Sequence, residues 1–111
     1  MLLSLALCGT ALAEPERGFM PSDQQTTVSE GRARALERLV RQDCGSCHGM
    51  TLKGGLGPDI RAERFAGVPV EVIAKVILDG IPGTPMPPWR PLLSNEDATW
   101  IAHYLSGGTE Q

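Results

Sequence analysis

"DCGSCHGM", Asp43 to Met50, places two thiols, an imidazole and a thioether within eight consecutive positions. Such groups hold a metal ion, close a disulfide or bond covalently to a cofactor, and the flanking sequence decides between them. Just upstream, Ala33, Leu36, Leu39 and Val40 recur at helical spacing with arginines on the other face. This predicts a helix capped by Thr27 or Ser29 and running to about Gln42. Steps of four from Leu36 through Val40 reach Cys44, so the helix delivers the first cysteine on its buried face.

Downstream, Gly49 to about Val68 shows no sustained period and is dense in glycine: Gly49, Gly54, Gly55 and Gly57. A loop of that length without secondary structure needs a task, and wrapping the edge of a cofactor is one. A second helix starts near Pro69, with Val72, Ile73, Val76 and Ile77 as its apolar face and Gly80 to end it. "GIPGTPMPPWRP", Gly80 to Pro91, holds five of the nine prolines. The last helix is capped by Ser94, carries Glu96 and Asp97 in its positive first turn and stops at Gly107 and Gly108. Its stripe is Ala98, Ile101, Ala102 and Leu105, flanked by Trp100 and Tyr104. No strand-like alternation and no internal repeat occur, so the expected class is all-α: three main helices and long Gly/Pro-rich loops. Helices this short bury little surface between them, and a large planar apolar ligand would supply the missing interior.

A chain of 111 residues is one domain, and a net charge of −3 gives no electrostatic case for nucleic acid or an anionic membrane surface. Leu2 to Ala13 is an uncharged apolar run ending in a small-x-small pattern, which reads as a cleaved export signal. The organisation expected is a signal peptide at 1–13, a polar lead-in at 14–28, the domain at 29–107 and a tail at 108–111. Membrane attachment would follow only if the leader stayed as an anchor. Cleavage removes Cys8 and leaves Cys44 and Cys47, a single close pair that cannot be the disulfide framework of a small exported domain.

C-x-x-C-H is the attachment signature of c-type haem: two thiols one turn apart add across the vinyl groups and set the adjoining imidazole under the iron. Cys44 and Cys47 would form the thioethers and His48 the axial ligand, with small Gly45 and Ser46 letting the porphyrin edge approach. A zinc site needs four ligands, and His103 is the one remaining nitrogen candidate. A thioredoxin-type pair expects a βαβ setting that is missing. The second axial candidates are Met20, Met50, Met86 and His103. Met50 is too close to His48 to reach the opposite porphyrin face, Met20 falls in the lead-in, and His103 reads as a solvated helix residue. Met86 stands between Pro85 and Pro87, which stiffen an extended loop able to present a thioether. The Pro58 carbonyl, in "GLGPD" ten residues past His48, is the expected acceptor for the other His48 N–H. Trp89 and Trp100 are expected as haem or core packing.

CGSCH, then GLGPDI, then GTPMPPW and a closing helix with Trp100 and Tyr104 together resemble a class I cytochrome c over about Ser29 to Gly107. "QDCGSCHGMTLKGGLGP" and "GIPGTPMPPWRPLLS" resemble more narrowly the small monohaem cytochromes of the c55X type, associated with cytochrome cd-type nitrite reductases of denitrifying bacteria. That resemblance implies one covalent haem c and a periplasmic electron-transfer protein, not an enzyme. Its partners would be the nitrite reductase or the proteins that mature d1 haem. The alternative it leaves open is a d1-haem maturation factor, or another haem-binding protein whose role is ligand handling. Lys53, Arg61, Arg64 and Arg90 are candidates to rim an exposed haem edge. In one respect the sequence departs from the resemblance: many class I cytochromes have glycine eight residues before the first cysteine, where this chain has Leu36. A wider helix crossing, or Ala33 and Ala35 as its small residues, is expected in consequence.

Overall fold

A computed structural model describes residues 28–108, together with Gly9. The expected leader, Met20, Cys8, the alternative cap Thr27 and the last residues of the expected tail lie outside the described residues. The described chain is helical, in the order α1 (Glu30–Leu39), a π turn (Val40–Cys44), α2 (Gly45–His48), a 3-10 turn (Ala62–Phe65), α3 (Val70–Asp79) and α4 (Asn95–Leu105).

Each main helix begins where its capping residue dictates. Ser29 opens α1 by accepting from Arg32 N at 3.2 Å. Pro69 precedes α3, and Gly80, at φ 66°, ends it. Ser94 and Asp97 form a reciprocal box at the start of α4: Asp97 N donates to Ser94 Oγ at 3.1 Å and Ser94 N to Asp97 Oδ2 at 3.0 Å. A box of this kind is worth about 1 kcal/mol.

α4 is the central element, packed on both α3 and α1. Leu36 and Val40 from the α1 side, Ile73, Ala74, Ile77 and Leu78 from α3, and Ala98, Trp100, Ile101, Ala102, Tyr104 and Leu105 from α4 form one buried cluster. Trp100 stacks on Tyr104 at 5.1 Å, one turn apart on the helix. Asp97 also joins α1 to α4, taking both arms of the Arg32 guanidinium at 2.9 and 2.7 Å.

Three expectations are corrected. The first helix does not stop near Gln42 but runs through the π turn into His48, with Gly45 N donating to Val40 O five residues back. The buried side of α3 is Ile73, Ala74, Ile77 and Leu78, while Val72 and Val76 remain exposed, because α4 covers only one side of the apolar surface. Leu36 of α1 and Ala98 and Ala102 of α4 are fully buried in one cluster, and Ala33 packs partly buried against it. His103 is half-buried rather than solvated, because the chain folds back against it and Gly108 N donates to its carbonyl at 2.8 Å.

Candidate functional site

The continuous run from α1 through α2 carries Cys44, Cys47 and His48 on one rigid element. Both cysteines are free thiols; Cys44 is half-buried and Cys47 exposed. Burial pushes the Cys44 thiol up to about 11, with the Asp43 carboxylate adding to the shift.

His48 is held by the loop that follows it. Its Nδ1 lies 2.7 Å from Pro58 O, and the neutral ring with the proton on that nitrogen donates to the carbonyl. Nε2 is thereby left as the nitrogen with a lone pair for a metal. The loop returns to the helix through two backbone bonds, Gly54 N to His48 O at 2.8 Å and Gly57 N to Cys47 O at 2.7 Å, and is tightened within itself by Gly55 N to Gly57 O at 2.9 Å. Gly57 lies against the imidazole so closely that a Cβ there would stand 2.7 Å from Cε1 and 2.8 Å from Nδ1 of His48. The spacing of "GLGPD" predicts the acceptor carbonyl; the need for glycine at 57 emerges only from the folded loop.

Met86 is half-buried in the proline-rich loop after α3. Thr84 shapes that loop, donating through Oγ1 to Ile81 O at 2.7 Å and accepting from Met86 N at 3.3 Å. Gly80 supports it from below, since a Cβ there would meet Met86 O at 2.6 Å, Pro87 C at 2.8 Å and Pro88 N at 2.9 Å. The loop rejoins the core at Trp89, a half-buried residue on the edge of the cluster whose N–H donates to Ile77 O at 3.1 Å.

Two acidic residues that carry no signal in the sequence organise the surroundings. Asp59 is paired with Arg61 and Arg64, and Asp79 with Lys75 and Arg90. Three of the four cations expected to rim a cofactor edge, Arg61, Arg64 and Arg90, are therefore paired with carboxylates, but each carboxylate is shared by two cations, so each cluster keeps a net positive charge. The carboxyls of Asp59 and Asp79 are both held below the usual range, first by Arg61 and Arg90 respectively. Met50 is exposed on the turn beside His48.

The donor set fits c-type haem. Two thiols a helical turn apart and an imidazole with one nitrogen committed to a carbonyl match that group's attachment chemistry. Val72 and Val76, together with Ile81 at the foot of the Met86 loop, are exposed apolar side chains. Among the described residues no three His, Cys, Asp or Glu converge as a metal-binding group. Nor is any helix among them long and apolar enough to cross a membrane.

Comparison with known proteins points the same way. The family model described as cytochrome c oxidase, cbb3-type, subunit III matches residues 31–105. Cytochrome c55X of Paracoccus denitrificans (strain Pd 1222) is 51% identical over 104 residues, which are 94% of this chain and 89% of that protein. Among solved structures, the c-type cytochrome NirC superposes with a TM-score of 0.70 at 47% identity, covering 73% of this chain and 95% of that one. The dihydro-haem d1 dehydrogenase NirN, solved in complex with DHE, gives a TM-score of 0.60 at 32% identity, covering 68% of this chain and 16% of that one.

Proposed function

The chain belongs to the cytochrome c55X family of c-type cytochromes, with the class I cytochrome c fold, and we propose that it is a periplasmic carrier of single electrons holding one covalent haem c. Cys44 and Cys47 would bond the haem through their thiols, and His48 would hold its iron through Nε2. Pro58 O accepts from His48 Nδ1, which fixes the ring and raises its basicity. Met86 would hold the iron through its thioether, and Trp89 would pack against the cofactor. When bound, the haem supplies a one-electron couple at its iron, at a potential that His/Met ligation raises. The remaining work falls to the chain, which orients the two ligands, excludes water and leaves no coordination position open to a substrate.

The observation that carries this reading is the pinned imidazole. A histidine beside two cysteines has many uses, but one gripped through Nδ1 and pressed against Gly57 presents only Nε2. Its test is the optical spectrum of the purified protein. A pyridine haemochrome of the two-thioether type is expected, with the weak near-infrared-edge band of thioether-ligated ferric haem, lost in Met86→Ala. A high-spin ferric spectrum in the unaltered protein would overturn the closed ligation.

The partners proposed are the periplasmic nitrite reductase or the proteins that mature its d1 haem. Stopped-flow mixing of the reduced protein with nitrite reductase is the deciding measurement, and a rate no higher than that of an unrelated cytochrome would remove the donor role. The likeness to a dihydro-haem d1 dehydrogenase favours a second reading, in which the chain is itself a maturation factor that handles a tetrapyrrole. Saturable binding of a d1-type tetrapyrrole would select that reading over electron carriage.

A further inference from the structure

Asp59 directly follows Pro58, and its carboxylate is gripped from several directions. Arg61 donates to Oδ1 through its backbone N–H at 2.9 Å and through Nε at 3.1 Å, and to Oδ2 through Nη2 at 2.8 Å. Arg64 Nε adds a bond to Oδ2 at 3.2 Å. The two guanidinium groups shield the acid so well that the Asp59 side chain is 11% exposed, while those of Arg61 and Arg64 are 43% and 65% exposed. The next residue ties the segment to the turn after His48: Ile60 N donates to Leu52 O at 3.0 Å and Leu52 N to Gly49 O at 2.8 Å. Leu52 itself sits at φ 59°, in the left-handed region that leucine rarely adopts.

Ion pairs this exposed contribute little to stability. Their geometry fixes a direction instead. The bond from Arg61 N to Asp59 Oδ1 closes an Asx turn, and the fork locks the side chain on which that turn depends. The carbonyl that receives His48 Nδ1–H lies in the peptide plane between Pro58 and Asp59, so holding Asp59 holds that plane.

We propose that Asp59, clamped by Arg61 and Arg64, is a positioning residue that aims the Pro58 carbonyl at His48 Nδ1 and thereby lowers the reduction potential of the bound haem. The inference rests on His48 as iron ligand. A firm Nδ1–H···O=C bond gives the imidazole more anionic character, which favours the ferric state. Loosening the clamp makes the ring a poorer donor and raises the potential.

Simple charge effects predict something different, and Arg61 separates the two. Through space, Asp59→Asn removes a negative charge and raises the potential, whereas Arg61→Gln removes a positive charge and lowers it. Through the clamp, both substitutions raise it. The test is a redox titration of the haem-loaded full chain for both variants, with NMR of the histidine-labelled protein reading exchange of the His48 Nδ1 proton. Expected are a rise in potential and severalfold faster exchange in both. A fall in potential for Arg61→Gln, or unchanged exchange in both, overturns the proposal. Arg64→Gln, which removes one bond, is expected to give a smaller shift of the same sign and serves if Arg61→Gln fails to load haem. In the ferric protein, a His48 Nδ1 proton without a paramagnetic shift would instead show that His48 is not the ligand, and the inference would fall with that reading.

Discussion

Arg90 reaches Asp79 with two nitrogens on one carboxylate oxygen, at 2.6 and 2.9 Å, and so closes the base of the loop that carries Met86. Lys75 holds the other oxygen at 2.9 Å, and Arg90 N donates to Leu78 O at 3.1 Å. Because both side chains are substantially solvated, the pair adds little to global stability. Its effect is local. In haem-loaded Arg90→Gln, the thioether-to-iron band should disappear at a lower temperature than in the parent, while the far-ultraviolet melting transition moves little. Added salt should narrow the difference by weakening the parent's pair. Two transitions that shift together would show that the pair supports the whole fold.

Gly80→Ala should damage the same loop by a different route. The position has φ 66°, and a new Cβ would meet Met86, Pro87 and Pro88 backbone atoms at 2.6 to 2.9 Å, none of which can rotate away. The strain should cost about 2–3 kcal/mol, by the usual penalty for a left-handed non-glycine plus a backbone clash. Thermal unfolding of the loaded protein measures the loss, and the ferric spectrum should gain high-spin character as Met86 is pushed aside.

Gly57→Ala makes the complementary test on the histidine side. Here the backbone is ordinary and the obstacle is the imidazole, whose nearest atom would lie 2.7 Å from the new methyl. The ring must turn, weakening the bond to Pro58 O while the cysteines stay where they are. The expected outcome is normal covalent haem content with altered axial ligation, read by haemochrome and electron paramagnetic resonance in one preparation. Loss of attachment itself would mean that the loop, and not the ring, had yielded.

Acid should unfasten α1 from α4. Arg32 holds the Asp97 carboxyl at about 2, below its unfolded value near 3.9, with the Ser94 backbone N–H helping and burial opposing. A depressed carboxyl contributes stability that is complete above the unfolded value and lost as pH falls through the folded one. The window therefore runs from about pH 4 down to about pH 2. After discounting for solvent around Arg32, whose side chain is 42% exposed, the contribution is about 1–2 kcal/mol. Urea midpoints measured across that window should fall for the parent and stay flatter for Asp97→Asn.

Leu36→Ala should cost about 3 kcal/mol, in the range for truncating a fully buried leucine. Leu36→Gly should be worse still, since glycine costs about a further 1 kcal/mol in a helix interior. Denaturant unfolding of the loaded protein settles the order.

The parts of this fold that announce themselves in sequence are those encoded locally. Ser94 with Asp97 three residues on, Pro69 before an apolar run and Gly80 after it mark helix ends because each acts through its own backbone. The carbonyl at Pro58 is legible for a related reason: a proline beside glycines, a fixed distance past C-x-x-C-H, leaves few other routes for the loop. Asp59 and Asp79 are not legible, since an acid among arginines reads as ordinary solvated charge until the path of the chain is known. Val72 and Val76 mislead in the opposite way. Periodicity shows that a face is apolar and cannot show which neighbour covers it, and in α3 the side that α4 covers and the side it leaves bare share one continuous surface.

The π turn carries a consequence for how this chain is lined up with its relatives. A π turn accommodates one more residue than the α turn it replaces. A homologue with a regular α-helix between Leu39 and Gly45 would align only with a single-residue gap there, and an ungapped alignment would pair every residue upstream of the gap with the wrong counterpart. Chimaeras joined inside residues 40–44 would inherit the same slip as a rotation of about 100° between the core stripe and the cysteine pair. Splice points belong before Leu39 or after His48, where the two halves keep a common phase.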